Sequence, residues 1–155
     1  MAPLVVALAS DHGGFELKSA LAAEVSRLGH AALDLGTDGT APVDYPDFAR
    51  AVAEALKGGK AQRGVLICGT GIGMSIAANR FPWMRAALVH DAYGARLARQ
   101  HNDANCITMG GRTTGLEIAK DCLRIFLETE FDGGRHARRI AKLAGAQAMA
   151  ADKVG

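Results

Sequence analysis

The fold is decided by one stretch of the sequence, Val65-Leu66-Ile67-Cys68-Gly69-Thr70-Gly71-Ile72-Gly73-Met74-Ser75. An apolar run that ends in a thiol is followed by three glycines at every second position, and then by helical spacing. This pattern predicts a buried strand, a tight turn and the start of a helix. Glycines allow positive φ and leave backbone amides uncovered, and such a turn at a helix N-terminus attracts anions. Because a thiol in this setting ionises more readily, the stretch offers an anion cradle beside a candidate base.

The same stretch also has a purely structural interpretation. A cysteine at the end of a buried strand is usually a small hydrophobe, and glycines after a strand usually form a turn. The glycines do not match a dinucleotide-binding fingerprint, because the third glycine stands at the wrong offset and the preceding strand is a middle one. No Gly-Lys-Ser/Thr closes the turn, so it is not a P-loop.

The composition is typical of one soluble α/β domain, with 49% hydrophobic and 22% charged residues among 155. The formal net charge of +2 is too small to favour nucleic acid or an anionic membrane as a partner. No apolar run approaches the roughly 18 residues of a membrane span, and Asp11 and His12 interrupt the apolar N-terminus, which argues against a signal peptide. Three cysteines without a paired C-x-x-C indicate a reducing cytoplasm and no zinc site.

Apolar runs alternate with helical patterns along the chain, and we expect strands at 4–9, 31–35, 65–68, 86–89 and 106–109. This alternation predicts an α/β fold, a three-layer α/β/α sandwich around a five-stranded parallel sheet. The expected strand order is flavodoxin-like, 2-1-3-4-5, with an extra C-terminal helix after Gly133-Gly134. We expect a single domain over residues 1–155, with its core at about 4–143 and an Ala-rich tail, 144–155, that frays or packs on a partner.

Polar side chains follow strands one, three, four and five, and we expect all of them at the edge of the sheet where α/β folds bind ligands. They are Asp11, His12, Cys68, Thr70, His90, Asp91, His101, Asn102 and Arg112. Arg135 and Arg139 add two more guanidiniums, which bind phosphate bidentately. Thiol, imidazoles and guanidiniums together predict a site for a small anionic molecule.

Several of these residues also have a structural interpretation. Asp11 is a candidate helix cap. His101 continues an apolar helical face and, taken alone, is better explained as a core histidine. Arg135 and Arg139 are compatible with a solvated helix face. Cys122 falls within the apolar stripe of the fifth helix, which predicts a core position.

The position of the last helix predicts a second subunit. Arg135 and Arg139 are four residues apart and share a helix face, but their helix leaves the predicted edge strand, whereas the glycine turn lies near the middle of the sheet. A neighbouring copy whose basic tail reaches over the cleft would bring these groups together. We therefore expect a two-fold homodimer with shared sites, and a tetramer stays open as an alternative.

Short motifs recur along the chain in this order: Asp11-His12-Gly13-Gly14-Phe15-x-x-Lys18, Asp44-Tyr45-Pro46, Cys68-Gly69-Thr70-Gly71-Ile72-Gly73, Ala77-Ala78-Asn79, Arg99-Gln100-His101-Asn102-Asp103-x-Asn105, Gly110-Gly111-Arg112 and Gly133-Gly134-Arg135-His136-x-x-Arg139. In combination and in order, these motifs resemble those of the type B ribose-5-phosphate isomerases, over about residues 4–143. The wider family also contains isomerases of allose 6-phosphate and galactose 6-phosphate.

The resemblance implies interconversion of D-ribose 5-phosphate and D-ribulose 5-phosphate through a cis-enediolate, in the pentose phosphate pathway and without a metal or organic cofactor. Cys68 matches the family's catalytic base, Thr70 would assist proton movement at the sugar oxygens, and His101 would open the furanose ring, with His12 as a rival. The remaining matches imply substrate binding: the amides of Gly69, Gly71 and Gly73 at the enediolate oxygens, Asp11 and Asn102 at the hydroxyls, Arg112, Arg135, Arg139 and His12 at the phosphate, and Tyr45 along the pocket wall.

Two other functions stay open from the sequence. One is isomerisation of a hexose 6-phosphate on the same scaffold, which depends on the depth of the pocket. The other is a non-catalytic module that binds phosphate or flavin. The thiol beside the cradle argues against the second alternative, because binding alone requires no base.

Overall fold

The computed structural model describes residues 1–152, and within them a parallel five-stranded sheet is covered by six α-helices. The strands are β1 (Val5–Ser10), β2 (Ala31–Asp34), β3 (Arg63–Cys68), β4 (Ala86–Leu88) and β5 (Cys106–Gly110). The helices are α1 (Phe15–Arg27), α2 (Tyr45–Lys57), α3 (Ile72–Ala78), α4 (Ala92–Asn102), α5 (Leu116–Glu128) and α6 (Arg135–Asp152). This confirms the predicted α/β class, the parallel sheet and the extra C-terminal helix.

The order of the last two strands differs from the prediction. The sheet has the order β2-β1-β3-β5-β4, so the predicted order 2-1-3-4-5 is wrong at its end. The physical reason lies in burial: all five residues of β5 are buried, whereas the three residues of β4 are only partly covered. A strand buried on both faces belongs inside a parallel sheet, and a short, half-covered strand belongs at its edge.

Two apolar layers cover the two faces of the sheet. One layer packs α1, α4 and α5 against Val6, Leu8 and alternate residues of the inner strands. The other packs α2 and α3 against Ala7 and Ala9, because successive strand residues point to opposite faces. Cys122 is fully buried in the first layer, which confirms its predicted core position. Among residues 1–152, no helix combines the length and apolar character needed to cross a bilayer.

The free edge of β4 is closed by a side chain. Ala86 pairs with Cys106 of β5 in the ladder, and its own amide donates to Asn79 Oδ1 at 2.8 Å while Asn79 Nδ2 donates to its carbonyl at 2.9 Å. The Asn79 amide therefore takes the place that a further strand would occupy. Edge strands with unpaired backbone groups attract additional strands, and this contact removes two such groups.

The C-terminal tail is helical over most of its length. Residues 144–155 were expected to fray or to pack on a partner, and α6 continues through Asp152. The last three residues, 153–155, lie outside the described part of the chain, so the prediction for these three residues lies outside it as well.

A buried lysine holds the loop that follows β2. Lys18 is 1% exposed, and its Nζ donates to both carboxylate oxygens of Asp34, at 2.8 and 3.0 Å, and to the carbonyl of Thr37. The same loop is joined to the end of β1, where the amide of Ser10 donates to the carbonyl of Gly36 at 2.8 Å and the amide of Thr37 donates to the carbonyl of Ser10 at 2.9 Å. The ammonium thereby anchors the start of the loop of residues 36–44, which follows β2.

This pair predicts an asymmetric response to mutation. Asp34→Ala leaves the buried Lys18 ammonium without its counter-charge, and we expect it to reduce the free energy of unfolding by about 3 kcal/mol. Lys18→Met removes the buried charge and fills its space, while the half-exposed Asp34 carboxylate returns to water, so we expect a loss of only about 1 kcal/mol. Urea unfolding of both variants measures the difference, and equal losses would contradict this view of the pair.

Candidate active site

Three loops meet in backbone contact at the carboxyl edge of the sheet. A Cβ built on Gly14 would lie 2.6 Å from the carbonyl oxygen of Ile67, and one on Gly110 would lie 2.6 Å from Cα of Thr70. A Cβ on Gly111 would collide with the carbonyl oxygen of Gly13. Only glycine fits at such approaches. The contacts bring the ends of β1, β3 and β5 together, as expected for the polar residues that follow these strands.

The Cys68 thiol lies at the end of β3 and faces the glycine turn. The residue is 5% exposed, and its Sγ accepts a hydrogen bond from the amide of Gly71 at 3.1 Å. Gly71 has φ +78° and precedes α3, and a Cβ there would lie 2.7 Å from Leu88 and 2.8 Å from the backbone of Met109. The turn is therefore confined to one conformation, and that conformation aims an amide at the sulfur.

Three further amides of the turn have no acceptor among residues 1–152: those of Gly69, Thr70 and Gly73. Thr70 is exposed, and its Oγ1 accepts from the amide of Ile72 at 3.3 Å, which leaves its hydroxyl proton for another acceptor. The turn thus presents amide donors and a hydroxyl beside the sulfur. Donors that are fixed before reaction stabilise a developing oxyanion. Of the predicted glycine amides, Gly71 is already occupied by Cys68.

Asp11 and His12 follow β1 and are both held by backbone amides. Asp11 Oδ1 accepts from Gly13 at 2.9 Å, as expected of a cap. His12 Nδ1 accepts from the amide of Val43 at 3.2 Å, so the neutral imidazole carries its proton on Nε2. The loop that Lys18 anchors therefore sets the tautomer of His12.

Tyr45 and Arg112 complete this group. The ring of Tyr45 lies against the turn, since a Cβ on Gly73 would come within 2.7 Å of its Cζ. The amide of Arg112 donates to the carbonyl of Gly69 at 3.0 Å, and its Nη1 lies 3.5 Å from the position of a Cβ on Gly69. We call the following residues the carboxyl-edge group: Asp11, His12, Tyr45, Cys68, Thr70 and Arg112.

His101 and Asn102 do not lie at this edge, so the expectation of a single edge is wrong for them. They end α4, which returns from the end of β4 to the start of β5 and so runs against the strands. Consistently, Arg85, which precedes β4, donates from Nε to the carbonyl of Asn102 at 3.1 Å. Cys68 pairs with Gly110, the last residue of β5, whereas His101 and Asn102 lie near the first residue of that strand. The length of β5 alone therefore separates Cys68 from His101 and Asn102 by about 13 Å.

The start of α6 joins His101 at the amino edge. His101 and His136 stack with ring centroids 4.3 Å apart and planes 12° apart. The amide of Asp132 donates to the carbonyl of Gln100 at 3.1 Å, which ties the segment before α6 to α4. Arg135 and Arg139 are exposed on the same first turns of α6. We call the following residues the amino-edge group: His101, Asn102, Arg135, His136 and Arg139.

His136 is a site residue that the sequence analysis did not select. Burial lowers the pKa of its imidazole, and the positive charge of Arg135 and the neighbouring His101 lower it further. The lowered pKa favours the neutral form of this imidazole near Arg135 and Arg139. A signal for it existed, because His136 stands next to Arg135 and three residues before Arg139 on one helix.

Other candidate residues belong to neither group. Asp91 Oδ1 accepts from the amide of Gly94 at 2.7 Å and caps α4, and His90 is exposed beside it at the end of the edge strand. The two remaining thiols are core groups. Burial raises the pKa of Cys106, and it raises that of Cys122 to about 11, so neither supplies a thiolate near neutral pH.

Comparisons with known proteins agree on one family. The family model described as ribose/galactose isomerase matches residues 6–143. The ribose-5-phosphate isomerase B of Escherichia coli is 44% identical over 135 residues, which cover 87% of this chain and 91% of that protein. The ribose-5-phosphate isomerase B structure of Clostridium thermocellum is 46% identical with a TM-score of 0.92 and covers 94% of this chain and 98% of its own. The ribose 5-phosphate isomerase structure of Thermotoga maritima is 46% identical with a TM-score of 0.90, and the match covers 92% of this chain and 98% of that one.

The pKa of His136 gives a prediction for this site. Because its folded pKa lies below the ordinary 6.5, the unfolded chain binds the proton more readily, so stability falls as the pH drops through 6.5 toward the folded pKa. NMR titration of the imidazole protons should report a pKa below 6.5, and Arg135→Gln should raise it. In His136→Gln the loss of stability below pH 6.5 should shrink, and an unchanged pH dependence would contradict the assignment.

Proposed function

The chain belongs to the ribose/galactose isomerase family, and from that membership we propose that it interconverts D-ribose 5-phosphate and D-ribulose 5-phosphate. The observation that carries the proposal is the Cys68 sulfur, held at the end of the middle strand beside a turn of amides without acceptors. An aldose–ketose isomerase needs a base at C1–C2 and donors for the enediolate oxygens. The turn supplies both within a few residues.

The proton transfer is assigned to Cys68. Its thiolate removes the proton from C2 of the open-chain aldose, which leaves a cis-enediolate, and the thiol returns the proton to C1 to give the ketose. The amides of Gly69 and Gly73 stabilise the negative oxygen, and the Thr70 hydroxyl moves the proton between the two sugar oxygens. The base acts in a turn whose geometry is confined by glycine contacts, so little reorganisation accompanies the reaction.

The phosphate and ring ends of the substrate are assigned to charged residues of both groups. Arg112 and His12 lie with Cys68, whereas Arg135 and Arg139 lie with His101. Guanidiniums clamp a phosphate bidentately, and binding energy gained there fixes the reacting carbons near the sulfur. Asp11 and Asn102 bind sugar hydroxyls, Tyr45 lines the pocket, and His101 donates the proton that opens the furanose ring.

We propose that two copies of the chain share each site. The carboxyl-edge and amino-edge groups of one chain are separated by at least the length of β5, about 13 Å, which exceeds the reach of a side chain bound to one small sugar. A two-fold homodimer resolves this if the amino edge of each copy faces the carboxyl edge of the other. The proposal explains why base and ring-opening histidine stand on opposite edges.

An uncovered apolar surface supports the same arrangement. Ile72 and Ile76 are each 52% exposed on α3, next to the glycine turn, and residues four apart share a helix face. Large apolar side chains exposed beside a polar cleft are typical of protein–protein contacts. We therefore propose that this face of α3 lies within the dimer contact.

The setting of the reaction is part of the proposal. Three free cysteines at positions 68, 106 and 122 support a reducing cytoplasm, and a pentose phosphate pair as substrate and product supports a role in the pentose phosphate pathway. We propose that residues 1–155 act as one domain.

The names of the relatives favour ribose 5-phosphate over a hexose 6-phosphate as the substrate. A comparison of kcat/KM on ribose, allose and galactose phosphates tests this choice.

The base assignment predicts the effect of removing one sulfur. Cys68→Ala should lower kcat by about 10²-fold or more, because no other group takes the proton, while ribose 5-phosphate still binds through its phosphate. Cys122→Ala, which removes a buried sulfur far from the turn, serves as the control and should retain activity. A coupled assay and calorimetry on both variants measure this, and near-normal kcat in Cys68→Ala would remove the residue from the role.

The shared site predicts complementation between two inactive variants. When Cys68→Ala and His101→Asn chains are unfolded together and refolded as a mixture, half of the dimers are mixed, and one of their two sites carries both wild-type groups. We expect activity to return to about a quarter of the wild-type value. Each variant refolded alone is the control and should stay inactive. No recovery in a mixture shown to contain mixed dimers would place the complete site within one chain.

A further inference from the structure

Asp103 caps the end of α4 in a backbone conformation that side chains rarely adopt. Its φ is +43°, and among residues 1–152 it is the only residue other than glycine with a positive φ. Aspartate tolerates this left-handed region better than most residues do, but still at a cost in free energy. Asp103 follows directly on His101 and Asn102, which have roles in the proposed reaction. A costly conformation next to two functional residues indicates that this position has a task of its own.

The carboxylate of Asp103 joins two guanidiniums. Its Oδ1 accepts from Arg99 Nη1 at 2.8 Å, and its Oδ2 accepts from Arg85 Nη2 at 3.2 Å. The Arg99 side chain is 3% exposed, and within the described part of the chain no other carboxylate forms an ion pair with either guanidinium. Loss of this carboxylate would therefore leave a buried positive charge unpaired, with a second positive charge beside it.

A third guanidinium increases the local excess of positive charge. Burial lowers the pKa of Arg63, the charges of Arg99 and Arg85 lower it further, and the carboxylates of Asp103 and Glu130 act in the opposite direction. Three positive groups thus lie near two negative ones. Without the charge of Asp103, one carboxylate would face three guanidiniums.

The two arginines that bind Asp103 hold backbone carbonyls on both parts of the amino-edge group. Arg85 Nε donates to the carbonyl of Asn102 and to that of Asp103, each at 3.1 Å. Arg99 Nε donates to the carbonyl of Thr129 at 3.1 Å. Since Thr129 lies in the segment between α5 and α6, one carboxylate connects the end of α4 with the approach to α6.

We propose that Asp103 is a positioning residue that acts on the amino-edge group through Arg85 and Arg99. Its carboxylate keeps the two guanidiniums on the carbonyls that fix the end of α4 and the approach to α6. In the shared site, His101 and Asn102 are thereby held in place for the substrate bound at the other copy. The positioning does not depend on the proposed function, whereas its effect on turnover rests on it.

Asp103→Asn removes the charge with little change of shape, because asparagine also tolerates positive φ and keeps one oxygen acceptor. We expect kcat/KM on ribose 5-phosphate to fall about tenfold or more, since a displacement of about 1 Å can cost about 10²-fold. In the same variant without substrate, the NMR signals of the stacked His101 and His136 imidazoles should shift. Asp121→Asn, which removes a carboxylate from an exposed pair with Arg124, is the control and should change neither readout.

Refolded mixtures distinguish an effect on the amino-edge group from a general loss of structure. Mixed with Cys68→Ala, Asp103→Asn should recover about a quarter of the wild-type activity, because one site of each mixed dimer takes its amino edge from the Cys68→Ala chain. Mixed with His101→Asn, it should show only the mean activity of the two separate variants, because both changes affect the same edge.

Wild-type kcat/KM in Asp103→Asn, or unshifted imidazole signals, would overturn the proposal. Failure of Asp103→Asn to recover with Cys68→Ala, in an experiment where His101→Asn does recover with it, would also overturn it, because the defect would then extend beyond the amino edge. If the wild-type chain does not isomerise ribose 5-phosphate, the proposed function fails, and the imidazole signals alone decide whether Asp103 positions this group.

Discussion

The close approach of backbone to backbone at the carboxyl edge is the constraint on which the rest of the site depends. Gly14 touches Ile67, Gly110 touches Thr70 and Gly111 touches Gly13, each at a distance that no Cβ tolerates. Because these approaches leave no room for a Cβ at Gly14, Gly110 or Gly111, the amides of the loops and the Cys68 sulfur are fixed relative to one another. Rigidity of this kind lets a small domain hold amide donors in place before a charge develops.

The middle of the fold was predictable because its signals are local. The apolar run before Cys68 and the alternating glycines specify strand, turn and helix without reference to the rest of the chain. The order of β4 and β5 was not predictable from alternation alone, since it depends on which strand the helices bury. The strand order follows from burial, because all five residues of β5 are buried and the three residues of β4 are only half covered. Burial is determined by the docking of the helices, which the sequence pattern does not specify.

The position of His101 was predictable in part. A helix that joins two parallel strands must return to the amino edge, so its last residues lie opposite the site, and this was derivable from the predicted elements. The stack of His101 on His136 was not, because it joins residues 35 positions apart through the docking of α6. Charge patterning pointed to Arg135 and Arg139 but gave no indication that burial would lower the pKa of His136, which stands between them in the sequence.

The side-chain amide of Asn79 has a consequence for how copies of this chain can assemble. By bonding both backbone groups of Ala86, it imitates a neighbouring strand and ends the hydrogen-bond ladder at β4. A second molecule therefore meets two backbone groups of β4 that are already bonded, which opposes extension of the sheet on that side. Contacts through helices are a route of association that this edge leaves open.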